Sequence, residues 1–334
     1  MRPADIPHLR GHHGRSSRHH QRISHLASSL LVSLLPHTLF AYSFSLTFNP
    51  QLYLNMASIF QPGIYKGKVL FITGGRSGIG YSIAEEMMRF GASACILGRD
   101  AKGLQESAAA LEKSTGSKCL AAPADVRSKE DLAKAVKACL DKFGRIDFVV
   151  CAAAGNFLAP ISGMSENAFR TVIEIDTIGT YNTLKATLPA VRETKGAYLH
   201  ISATLHYAGT PYQAHVSAAK AAIDALSNVI AVEEGPRGVR SNVCAPGPIA
   251  NTEGMKRLGT KGREIERGIP LGKQGDTTDI AYYALWLFSP AAAWVTGSTM
   301  VIDGGQMHIR GTSLPYPESV LDPESVKELY KGKL

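Results

Sequence analysis

The chain of 334 residues contains no C-x-x-C pair, and its five cysteines, Cys95, Cys119, Cys139, Cys151 and Cys244, are odd in number and widely spread. That excludes a disulfide framework and a cysteine zinc site, so no metal is expected, and it fits a reducing compartment. A basic stripe interleaved with aromatics is also missing, which argues against nucleic acid despite a formal charge of +8. Part of that charge lies in residues 1–55, where five arginines face one aspartate, leaving 31 basic and 27 acidic groups elsewhere. No uninterrupted apolar run spans a bilayer: the candidate at 26–48 is broken by Pro36, His37 and several serines, so no stable membrane insertion is expected. With 45% hydrophobic and 19% charged residues the chain is not disordered overall, and it is long enough for one large core or two modest ones.

Composition divides the chain near Met56. Residues 1–55 hold seven of the eleven histidines and no glutamate or lysine. This leader fits three readings: a marginal anchor, an acid-poor mitochondrial transit peptide, or a stretch preceding a true start at Met56. Residues 56–312 read as one domain and 313–334 as a tail.

Within the domain, β-branched or apolar runs at 69–73, 94–97, 148–151, 198–202, 242–245 and 299–302 alternate with helical patterns. Ile79, Ile83 and Met87, four residues apart, mark one apolar face of the first helix. The alternation predicts an α/β fold: a single Rossmann-type doubly wound parallel sheet of about seven strands, with helices on both faces.

The first run leads into Gly74-Gly75-Arg76-Ser77-Gly78-Ile79-Gly80 and then a helix. Glycines there permit a tight turn and let backbone N–H groups approach a pyrophosphate at the helix N-terminus. The spacing T-G-x-x-x-G-x-G resembles the short-chain dehydrogenase/reductase family. So do Ala124-Asp125-Val126, Ala153-Ala154-Gly155, Lys220, Pro246-Gly247 and the stretch from Thr296-Gly297 to Asp303-Gly304-Gly305, together covering about residues 66–306. The resemblance places Gly74, Arg76, Ser77, Gly78, Ile79, Gly80, Arg99, Asp125, Ala153, Gly155, Lys220, Pro246, Gly247, Ile249 and Thr252 around a nicotinamide dinucleotide. An acidic residue at the end of the second strand would hold the ribose 2′-hydroxyl of NAD, but that strand ends in Gly98-Arg99. Arg99 and Arg76 suit a 2′-phosphate, so the expected cofactor is NADPH.

The family's acid–base pair is absent. Members acting on alcohols or ketones carry Tyr four residues before the Lys and Ser thirteen before that Tyr; here those positions are Val216 and Ala203. Tyr207 and Tyr212 stand nearby. A bacterial-type enoyl-thioester reductase would need Tyr at 213, which is Gln213. Such losses suit either a dead enzyme or a reaction that needs no proton on oxygen, such as reduction of a conjugated thioester.

The stretches around Cys151–Phe157, Ile175-Asp176-Thr177, Ala203-Thr204-Leu205, Ala218–Asp224 and Ala245–Gly254 resemble the peroxisomal 2,4-dienoyl-CoA reductases. That resemblance implies NADPH-dependent reduction of a fatty 2,4-dienoyl-CoA to a trans-3-enoyl-CoA by a homo-oligomer, dimer or tetramer. It makes Asp176, Lys220 and, more weakly, Asp303 catalytic. It also makes Arg127, Phe157 and Arg257 substrate contacts, with 254–268 a basic lid. Two alternatives stay open: a trans-2-enoyl-thioester reductase and a degenerate NADPH-binding scaffold. The terminal Lys333-Leu334, preceded by Gly332, matches a Ser-Lys-Leu peroxisomal signal in its last two residues, so the peroxisome is the expected location, with the mitochondrion following if the leader acts as a transit peptide.

Overall fold

A computed structural model of the chain describes residues 61–258, 265–309, 314 and 318–329. The leader and the last residues, with the address signals expected there, lie outside the described residues. Seven strands, β1 (Val69–Thr73), β2 (Ser93–Gly98), β3 (Cys119–Pro123), β4 (Phe148–Cys151), β5 (Ala197–Ile201), β6 (Arg240–Pro246) and β7 (Thr299–Ile302), form one parallel sheet in the order β3-β2-β1-β4-β5-β6-β7. Six of them coincide with the apolar runs in the sequence to within two residues. The seventh, β3, has the sequence Cys-Leu-Ala-Ala-Pro. Its small residues carry little strand propensity, and its place is set by pairing with β2 at the sheet edge.

Alternation along each strand feeds two cores. Leu70 and Ile72 of β1 point to one face, where they meet Ile83 and Met87 of α1 (Gly78–Arg89), Leu104 and Leu111 of α2 (Ala101–Thr115) and residues of a later helix, Thr277–Phe288. Val69 and Phe71 point to the other face. There they meet Leu132 and Val136 of α3 (Lys129–Phe143), and Leu184 and Val191 of the helix Gly179–Thr194. Each fully buried aliphatic side chain stabilises the fold by about 1.5–3 kcal/mol, which makes this two-sided burial the main driving force.

Buried Asp147 fixes where β1 begins. It accepts from the Val69 N–H at 3.0 Å, from Arg145 at 2.6 and 2.7 Å and from Lys68 at 3.0 Å. The chain leaves β1 toward β2 on one side and returns to β4 on the other. This reversal opens a crevice at the carboxyl ends of β1 and β4, where ligands of doubly wound sheets bind.

Candidate active site

The crevice is built on the turn after β1. Gly74 has φ +69, and a Cβ there would come within 2.7 Å of the Ala152 carbonyl oxygen beyond β4. A Cβ at Gly80 would collide with the Gly74 carbonyl, so the turn and α1 meet with no side chain between them. The Thr73 hydroxyl receives the N–H groups of Ala152 and Ala153 at 3.2 and 3.3 Å, which locks the two strand ends together. No side chain caps the start of α1, so its first N–H groups are free for an anion.

Above this turn lies a cavity of about 1060 Å³, and every cofactor-side position named from the sequence lines it, from Gly74 to Thr252. Arg76 and Arg99 are exposed at its rim. Asp100, next to Arg99, is engaged at the start of α2, where it accepts from the Gly103 N–H at 3.1 Å. Arg76 approaches it at 3.6 Å, an exposed pair of little energetic weight.

On the far side of β4, α4 (Glu166–Ile173) passes through a π-helical turn, Glu174–Ile178, into α5 (Gly179–Thr194). The extra residue of such a turn re-aims side chains and is frequent at functional sites. Asp176 sits in it, fully buried. Its Oδ1 accepts from the Gly155 N–H at 2.7 Å, and its Oδ2 lies 3.0 Å from Lys220 Nζ. Lys220, on α6 (Ala214–Glu234), also donates to the Ile201 carbonyl at 2.9 Å, which leaves one ammonium N–H for the cavity it lines. Val216 and Ala203 line the same cavity.

The remaining expected residues are placed differently. Asp176 itself does not line the cavity but stands behind Gly155 and Lys220. Asp303 is outside the cavity lining too, and both its oxygens hold a turn through the Gly305 and Met307 N–H groups, at 2.8 and 2.7 Å. Arg127 is bound to Asp125 at 2.6 Å and holds that carboxyl below the usual carboxylate range. Phe157 packs on His215, ring centroids 4.2 Å apart, rather than lining the cavity. Arg257 does line it, at the end of α7 (Glu253–Leu258). Of the basic segment 254–268, residues 259–264 lie outside the described residues. Both nearby tyrosines are engaged elsewhere: Tyr207 donates to Asp224 at 2.8 Å, and Tyr212 to the Ser319 carbonyl at 2.7 Å. Burial pushes the Cys151 thiol up to about 12, so it is no nucleophile.

The family model described as enoyl-(acyl carrier protein) reductase matches residues 74–307. The chain belongs to the short-chain dehydrogenase/reductase family. A peroxisomal 2,4-dienoyl-CoA reductase, (3E)-enoyl-CoA-producing, from Saccharomyces cerevisiae is 46% identical over 269 residues, 78% of this chain and 92% of that one. A protein of the same description from Arabidopsis thaliana is 41% identical over 291 residues, 83% of this chain and 94% of its own. Among solved structures, a short chain dehydrogenase from Bacillus anthracis matches with TM-score 0.68 and 36% identity, covering 75% of this chain and 99% of that one.

A nicotinamide cofactor goes with that family, and the residues present fit one. In the Gly74–Gly80 turn a Cβ at Gly74 or Gly80 would collide with the backbone, so the chain stays bare there, and the turn opens on the uncapped start of α1. Among the described residues no group of His, Cys, Asp or Glu is arranged to hold a metal, and no helix is long and apolar enough to cross a membrane. Two further residues, Asn156 and Gln213, have buried side-chain carbonyl oxygens that lack a partner among the described residues. Both line the cavity. Nothing in their spacing distinguishes them from ordinary polar residues.

Proposed function

We propose that this chain is an NADPH-dependent 2,4-dienoyl-CoA reductase that forms trans-3-enoyl-CoA during breakdown of unsaturated fatty acids in the peroxisome. The observation that carries the reading is the buried Asp176–Lys220 pair, whose lysine lines a cavity with Val216 and Ala203 at the tyrosine and serine positions. The names of the yeast and plant relatives support it.

The product dictates the chemistry. A double bond at C3–C4 requires a hydride at C5 and a proton at C2, with charge held on the thioester oxygen in between. The reduced nicotinamide, when bound, supplies the hydride. Lys220 would hold the nicotinamide ribose and place positive charge in the cavity, and Asp176 keeps its ammonium oriented. Through Gly155 the same carboxylate fixes the loop after β4. Asp176 acts from behind, so it is a positioning residue: with Lys220 it would orient the water that gives C2 its proton.

Arg76 and Arg99 would take the 2′-phosphate, and Arg257 a phosphate of the CoA. Arg127 could join it only by leaving Asp125. The same resemblance implies a homo-oligomer.

The enoyl-thioester alternative shares its name with the family description, but Tyr212, one residue from the position it requires, has its hydroxyl held by the Ser319 carbonyl. NADPH oxidation on addition of a 2,4-dienoyl-CoA, compared with a 2-enoyl-CoA, separates the readings. Faster oxidation with the dienoyl substrate supports this one, faster oxidation with the enoyl substrate supports the alternative, and binding of NADPH without oxidation by either marks a scaffold.

A further inference from the structure

The cavity holds a second set of polar groups that this mechanism leaves unused. Gln213 is 4% exposed and lines the cavity, and its Oε1 is buried with no partner among the described residues. A buried amide without a partner costs about 1–3 kcal/mol unless something else satisfies it. Gln213 is also the residue from which α6 starts, and no side chain caps that start. The N–H groups of Ala214, His215 and Val216 therefore have no acceptor among the described residues, at the positive end of a helix of 21 residues. The chain is held in this position by its neighbour. Tyr212 has φ +67, a conformation costly for a residue with a Cβ, and is pinned by its hydroxyl on Ser319 and by the Ala159 N–H on its carbonyl at 3.1 Å.

The geometry points to Gln213 and the uncapped start of α6 as an oxyanion site for the thioester oxygen of the substrate. This rests on the dienoyl-CoA reading. Its Oε1 is the buried end of the amide, which leaves the NH₂, a donor, for the cavity that Gln213 lines. Gln213 precedes Val216 by three residues, about 4.5 Å along the helix axis, so it serves an atom displaced from the one a tyrosine at 216 would reach. In a conjugated thioester that displaced atom is the carbonyl oxygen, where the electron pair rests after C5 receives its hydride and before C2 takes its proton. A ketone reductase puts its donor at the reacting carbon; this site puts it at the far end of the conjugated system.

The test is optical and kinetic. A 2,4-dienoyl-CoA bound with NADP⁺ cannot be reduced, and hydrogen bonds to its carbonyl shift its absorbance to longer wavelength. Wild type shows that shift; Gln213→Met, nearly isosteric but without a donor, binds the ligand and loses it. With NADPH, Gln213→Met lowers kcat on the order of 100-fold, with KM changed less than about twofold. NADPH affinity reports that the variant is folded. If Met is not tolerated, Gln213→Asn retracts the amide and loses the shift as well. A Gln213→Met protein that keeps both the shift and its kcat overturns the oxyanion site, whereas a wild type that neither binds nor reduces the dienoyl-CoA overturns the function on which it rests.

Discussion

Lys220 Nζ and Asp176 Oδ2 stand 3.0 Å apart, with the lysine side chain 7% and the aspartate 0% exposed. Two charges so far from water survive because each satisfies the other, and losing one leaves the other buried and uncompensated. Asp176→Ala should cost about 3 kcal/mol of stability and most of the turnover, with NADPH affinity nearly unchanged. Lys220→Met should lose turnover and weaken NADPH. The double variant Asp176→Leu/Lys220→Met, with no stranded charge, should be more stable than either single variant yet inactive. Urea unfolding and NADPH titration of the three proteins check this.

At the other end of the cavity, Arg99→Asp removes a guanidinium and adds a carboxylate where a 2′-phosphate would lie. NADPH affinity should fall by about tenfold or more, about 1.4 kcal/mol, while NADH affinity changes little. An unchanged ratio of the two dissociation constants would remove Arg99 from the cofactor site.

His200 in β5 predicts an acid sensitivity. It is fully buried, its Nε2 is 3.1 Å from the Ser241 hydroxyl, and burial pushes its pKa down to about 4 from 6.5. Below pH 6.5 the unfolded chain takes up a proton that the native state refuses. Stability is therefore lost as the pH falls from 6.5 to 4, by about 3 kcal/mol in all, and from this group no further below that. Burial lowers the pKa of His215 in the same sense. Urea midpoints at neutral pH and at about pH 5 should differ less for His200→Asn than for wild type.

What the sequence disclosed follows from which forces act locally. Val69–Thr73 and the glycine turn are legible because β-branching and the need for a missing Cβ are written in single residues. β3 is not, since Ala-Ala-Pro becomes a strand only when β2 offers its edge. The neighbourhood of Asp176 and Lys220 was reached by family spacing, but its π turn was not, because one extra residue in a helix leaves no compositional mark. The charges of Asp303 and Arg127 are plain in the sequence, but the turn that the one holds and the Asp125 partner of the other come from the fold. The distant pairing of Tyr212 with Ser319, 107 residues apart, has no local signature at all.

The central claim, dienoyl-CoA reduction without a tyrosine acid, is tested most directly by a turnover in heavy water with unlabelled NADPH. Conjugate reduction to a 3-enoyl product places the hydride on C5 and solvent deuterium on C2. The product should therefore be a trans-3-enoyl-CoA carrying one deuterium at C2, identified by mass spectrometry and NMR. A 2-enoyl product labelled at C4, or NADPH that stays reduced in the presence of the dienoyl-CoA, would contradict it.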